Sequence, residues 1–141
     1  MDMRAISLTQ PWATAMALRP TPMKRIETRS WSTNYRGPLA LHAAKSIDEN
    51  VIEDARRLWP TVLWRECPRG AIIAIVDLVD CRLMEQAPND LEEWWGNFGP
   101  GRYGWQTDNC RPLAVPVPCR GSLGVWTVPP DVADRVRAQL R

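Results

Sequence analysis

The sequence predicts an α+β domain built on a small β-barrel flanked by two or three helices. Three observations predict it. Short apolar runs are broken throughout by Gly and Pro, and the 13 prolines argue against long helices. One run, Ala71 to Val76, is continuous and rich in β-branched residues, as expected of a strand buried on both faces. Only a few segments carry apolar residues at helical spacing. With 141 residues and no repeat, linker or low-complexity stretch, the chain predicts one domain over residues 1–141.

Taken in order, Ala5 to Leu8 predicts a first strand. Thr9-Gln10-Pro11-Trp12 then predicts a helix start, because Pro suits the first helical turn and a polar residue suits the cap. That helix should end before Arg19-Pro20-Thr21-Pro22, where Pro disfavours the helical region in the residue preceding it. Lys24 to Trp31 alternates and predicts a strand; Asn34 to Pro38 predicts a turn; Leu39 to Ala44 predicts another strand. Asp48 to Trp59 predicts an amphipathic helix with Val51, Ile52, Ala55, Leu58 and Trp59 on one stripe and Asp48 or Ser46 as its cap. Gly70 to Asp80 predicts the central strand. Asp90 to Trp95 predicts a helical turn, and Asn97 to Gly101 a loop. Tyr103 to Gln106 and Gly124 to Val128 predict the closing strands, and Pro130 to Leu140 a terminal helix.

Charge narrows the function. Eighteen basic against 16 acidic residues give a net charge of +2, too balanced for coating duplex DNA by charge alone, though a local basic cleft is compatible with it. Met1 to Arg4 shows no charged-then-apolar pattern and no apolar run nears the roughly 20 residues that cross a bilayer, so no signal peptide and a cytoplasmic protein without a membrane partner are expected. Cys67, Cys81, Cys110 and Cys119 have no Cys-x-x-Cys spacing, and His42 is the one histidine. Reduced, incidental thiols are expected, with no metal and no cofactor. Hydrolase, dinucleotide and phosphate-loop signatures are missing from the sequence.

Three polar clusters interrupt the apolar pattern. Gln10-Pro11-Trp12 offers a donor, an acceptor and a flat ring at a helix start, or simply a cap and a core Trp. Lys24 to Arg29 places Lys24, Ile26 and Thr28 on one strand face and Arg25, Glu27 and Arg29 on the other. Glu27 either fixes Arg29 toward a phosphate or base edge, or joins a surface ion-pair row. His42-Ala43-Ala44-Lys45 closes a strand, with Lys45 in position to meet phosphate or solvent. Asp77 and Asp80 end the central strand as candidate general bases or plain terminators. Trp105, beside Tyr103 and Gly104, is a candidate stacking ring or a core residue.

Together these segments resemble the ASCH family, named for homology to activating signal cointegrator proteins. The resemblance rests on Ser7 to Ala13, Lys24 to Trp31, Tyr35 to Leu39, His42 to Lys45, the strand Gly70 to Cys81, Tyr103 to Trp105, and Pro116 to Trp126. It implies a PUA-like β-barrel and a cleft lined by the Gln-Pro-Trp turn, the Lys-to-Arg strand and the His-Ala-Ala-Lys strand end. Family members are associated with RNA or DNA binding and transcription coactivation. Some small members are amidohydrolases acting on N4-acetylcytidine, with a Lys and a Thr three residues later acting with a Glu. Lys24 matches that Lys, but Glu27 occupies the Thr position and Thr28 falls one residue late, which turns it to the other strand face.

Three functions follow as expectations. The first is binding of nucleic acid, RNA or single-stranded, or of a modified nucleotide, through Gln10, Pro11, Trp12, Lys24, Glu27, Arg29, His42, Lys45 and Trp105. The second is hydrolysis of an N4-acylated cytidine-type nucleoside, or ribonuclease action, through Lys24, Thr28 and Asp77. The third is a protein partner docking on an exposed patch of Trp59, Trp64, Trp94 and Trp95. A Lys24–Thr28 hydrogen bond would favour the enzyme; pairing of Glu27 with Lys24 or Arg29 would favour binding.

Overall fold

The computed structural model describes residues 2–140. Six strands form one mixed sheet in the order β2-β5-β4-β3-β1-β6. They are β1 (Arg4–Gln10), β2 (Ile26–Arg29), β3 (Gly37–Ile47), β4 (Ala71–Leu83), β5 (Tyr103–Pro118) and β6 (Trp126–Thr127). Four helices accompany them: α1 (Trp12–Ala17), α2 (Glu49–Leu58), α3 (Asp90–Trp95) and α4 (Pro130–Gln139). β1 runs parallel to β3, and every other pairing is antiparallel.

The α+β class holds, but the sheet does not close. Closure would need β2 hydrogen-bonded to β6, yet β2 pairs with β5 and the two-residue β6 pairs with β1. The described residues also carry four α-helices where two or three were expected. Three register shifts interrupt the β4–β5 ladder and bend the long pair, between Ile72 and Ala74, Ile75 and Asp77, and Leu78 and Asp80.

The apolar run Ala71 to Val76 lies in the interior of the sheet and is buried throughout, because both of its faces are covered. On one face Leu39, Leu41, Val76 and Leu78 pack with Met16 of α1 and with Trp105. On the other, Ile72 and Ile75 pack with Val132, Ala133 and Val136 of α4, whose spacing gives that helix one apolar stripe. A third cluster gathers Ala15, Ile52, Ala55, Trp64 and Trp95. The cap of α2 is Asp48, whose carboxylate accepts from the Val51 N–H at 3.1 Å.

Candidate functional site

A cavity of about 450 Å³ opens where β1, β2 and α3 meet. Its walls are Ser7, Leu8 and Thr9 of β1, Trp12 of α1, Lys24, Glu27, Thr28 and Arg29 around β2, Trp94 to Asn97, and Arg102. The volume is within the range of about 300–1,000 Å³ common for small-ligand sites. Three cations face one carboxylate there, so the formal charge is positive.

Local sequence explains how each group arrives. In β2, Ile26 and Thr28 turn inward while Glu27 and Arg29 are partly open, the alternation expected of a strand. Lys24 precedes the strand and escapes that alternation. Its backbone N–H donates to Ala15 O, which ties it to the end of α1. Its Nζ donates to Ile26 O at 2.5 Å and Trp95 O at 3.3 Å and faces Glu27 Oε1 at 3.3 Å. The side chain is 1% exposed, so the cation is held by two carbonyls and one carboxylate. The second oxygen of Glu27 accepts from Arg29 Nε at 2.9 Å, and Arg29 Nη2 donates to Ser7 O at 2.8 Å. Glu27 is therefore the centre of a fixed Lys24–Glu27–Arg29 row.

α3 closes the site from far along the chain. Both oxygens of buried Glu92 accept from backbone N–H groups, Arg25 at 2.9 Å and Ile26 at 3.2 Å, and so fix the start of β2. Asn97 N–H donates to Thr28 Oγ1 at 3.2 Å, and Arg102 Nη2 donates to Thr28 O at 2.9 Å. Two buried donors, Trp95 Nε1 and Arg102 Nε, have no acceptor among the described residues, and both belong to the cavity wall.

A model of the ASCH domain matches residues 6–115. The chain belongs to the ASCH domain family. Its mixed sheet with four helices is consistent with a PUA-like ASCH fold. It is similar to activating signal cointegrator 1 of Homo sapiens and of Mus musculus, 26% identical to each over 132 residues and covering 86% of this chain. The chain spans about a fifth of the length of those curated relatives.

In this ASCH domain Trp12, Lys24, Glu27, Thr28 and Arg29 share the one cavity. The other residues singled out from the sequence lie elsewhere. Gln10 is fully buried; its Nε2 donates to Thr14 Oγ1 at 2.9 Å and Pro68 O at 2.8 Å, while its Oε1 accepts from Thr14 N–H. That amide clips β1 to α1 and to the chain entering β4. Pro11 is buried at the N-cap of α1. Trp105 is a core ring, 1% exposed, set edge-on to Trp31 and donating Nε1–H to Trp31 O at 3.3 Å. Asp77 pairs with Arg111 at 3.0 Å and accepts from Asn109; the Arg111 guanidinium beside it holds its carboxyl below the usual range.

His42 and Lys45 line a separate, larger cavity of about 1,090 Å³ with Gly70, Pro118, Cys119, Arg120, Gly121, Ser122 and Leu123. Ser7 borders both cavities. The His42 ring must donate from Nε2 to Cys119 O at 2.7 Å, because a carbonyl only accepts, so its bare Nδ1 accepts from Ser7 Oγ at 3.0 Å. Burial lowers the His42 pKa.

The proposed tryptophan patch is mostly internal in this ASCH domain. Trp64 and Trp95 are each 1% exposed, and Trp95 packs against the rings of Trp59, Trp64 and Trp94. A run of bulky apolar rings gains more from mutual burial than from solvent, which is why the cluster turns inward. Its outer member, Trp94, reaches the cavity rim instead. Ser7, Asn97, Arg102 and Glu92 are site residues that the sequence does not single out, and Trp94 and Trp95 are singled out only for a partner patch, not for this cavity. The Trp94-Trp95 pair was the one visible signal; Arg102 and Glu92 act only through contacts more than 60 residues apart. Cys67, Cys81, Cys110 and Cys119 are free thiols, and burial raises Cys67, Cys110 and Cys119. Among the described residues no three His, Cys, Asp or Glu side chains are grouped to hold a metal, and no helix is long and apolar enough to cross a membrane.

Proposed function

We propose that this ASCH domain binds an unpaired or modified base of a nucleic acid in the cavity between β1, β2 and α3. The observation that carries the reading is the pairing in one recess of indole rings, Trp12 and Trp94, with the fixed Lys24–Glu27–Arg29 row. A flat ring next to a carboxylate and a guanidinium matches what a base needs: a stacking surface, an edge reader and a phosphate partner.

The contacts of Lys24 favour binding over hydrolysis. Its Nζ is occupied by two carbonyls and Glu27, while the Thr28 hydroxyl accepts from Asn97. A Lys–Thr pair poised for attack needs the amine on the hydroxyl. The family membership and the likeness to a protein named a signal cointegrator also support a binding role.

The test is calorimetric titration of uridine monophosphate, cytidine and N4-acetylcytidine, with acetate release followed in the last sample. Binding without release is expected for wild type. Trp12→Ala should cost about 1–3 kcal/mol, the usual worth of a base stacked on an aromatic ring, and Arg29→Ala should weaken monophosphate more than nucleoside. Unchanged affinity in both variants, at retained melting temperature, would remove the cavity from consideration.

A further inference from the structure

The second cavity carries two cations, Lys45 and Arg120, and no carboxylate. Neither cation has a salt-bridge partner among the described residues, whereas every cation of the first cavity is engaged by protein groups. Leu123 stands on the same wall at 98% exposure, an apolar side chain left almost wholly in water.

This wall is held in place rather than loose. Cys119 is fixed at both backbone groups: its N–H donates to Gly70 O at 3.1 Å, and its C=O accepts from His42 Nε2. Two residues on, Gly121 lies so close to β1 and β3 that a Cβ there would be 2.7 Å from Ser7 Oγ and 2.7 Å from His42 Cε1. Only glycine permits that approach. Trp126 Nε1 donates to Ser7 Oγ at 3.2 Å, completing a one-way chain Trp126, Ser7, His42, Cys119. The loop 120–123 therefore brings Arg120 and Leu123 to the same cavity as Lys45 from a fixed base. At the far side of the same Ser7, Arg29 Nη2 holds the Ser7 carbonyl inside the first cavity.

We infer that the second cavity is a subsite for the strand flanking the bound base, with Lys45 and Arg120 on its phosphates and Leu123 against a neighbouring sugar or base. The ligand class is thus a single-stranded oligonucleotide, not a free nucleoside. This rests on the base-binding reading above and deepens it. Ser7 is the shared wall over which the strand passes from one cavity to the other.

The experiment compares labelled tetrauridylate with uridine monophosphate on the full chain across salt concentrations. Three proteins are used: wild type, Lys45→Ala/Arg120→Ala and Trp12→Ala, each checked by melting. Lys45 and Arg120 are exposed, so the double variant should fold. Wild type should bind the tetranucleotide at least tenfold tighter than the monophosphate. The double variant should lose about tenfold or more on the tetranucleotide, and its salt slope should be shallower by about 1.4, two phosphates at about 0.7 each. A double variant that binds the tetranucleotide like wild type with the same slope overturns the subsite, as does a wild type that holds both ligands equally. The two readings fail separately. Loss in the double variant with none in Trp12→Ala would sink base stacking in the first cavity and keep the subsite. A wild type that binds neither ligand sinks both.

Discussion

Replacing Glu27 by Gln removes the one carboxylate facing a lysine that is 1% exposed. The substitution keeps the shape but turns one of two acceptor oxygens into an NH2 donor, and it leaves Lys24 with two carbonyls and no counter-charge. Breaking a buried pair from one side costs about 3–5 kcal/mol. Glu27 and Arg29 are 16% and 24% exposed, so water screens part of that loss and about 2–3 kcal/mol is expected. At this chain length that is a fall in melting temperature of about 7–10 °C. Lys24→Met keeps the bulk, leaves Glu27 with Arg29, and removes two N–H···O bonds, for about 1–2 kcal/mol. The double variant Lys24→Met/Glu27→Gln strands no fully buried charge, since the part-exposed Arg29 keeps Ser7 O and water, so its loss should fall short of the sum of the singles by about 1–2 kcal/mol. Urea unfolding with equal slopes measures all four corners of the cycle. Additivity within about 0.5 kcal/mol would refute the picture of Glu27 as the group that neutralises Lys24.

The remaining predictions concern the scaffold. His42 has a folded-state pKa below its ordinary 6.5 because burial disfavours the charged ring, so its stabilising share is present above 6.5 and is lost as pH falls toward the lowered value. Urea midpoints should therefore drop between pH 7 and 5.5, with a slope of at most about 1.4 kcal/mol per pH unit from this group; His42→Gln should flatten that part of the profile. Gly121→Ala forces a Cβ to within 2.7 Å of Ser7 Oγ, and chemical denaturation should register a loss of about 1–3 kcal/mol from overpacking. Asp48→Ala removes the cap on Val51 N–H and should cost about 1 kcal/mol, read by thermal melting.

Local pattern was enough for the elements that obey it. Asp48 to Trp59 gave the helix, with Asp48 as one of two cap candidates beside Ser46, because the apolar stripe begins within one turn of the carboxylate. Ala71 to Val76 gave the interior strand because a continuous β-branched run has no solvated face to offer. The last strands were less legible. β5 runs over 16 residues, far beyond Gln106, since its partner β4 supplies hydrogen bonds along a segment that carries Asp108, Asn109 and prolines of weak strand propensity. Ladder pairing overrode local preference there.

The site was legible only in part for a related reason. Spacing can say which side chains share a strand face, but not which wall faces them. Lys24 was assigned to the face of Thr28 by counting in twos; lying before the strand, it curls beneath β2 to Glu27 instead. His42 and Lys45 lie on β3, which is parallel to β1, with Ser7 opposite His42 in register. β1 thus stands between them and the Lys24–Glu27–Arg29 row. Arg29 reaches its carbonyl from one side and His42 its hydroxyl from the other. The same strand that separates the two cavities joins them through a single residue, and on the proposed reading that topology favours one continuous strand of nucleic acid over one small molecule as the ligand using both.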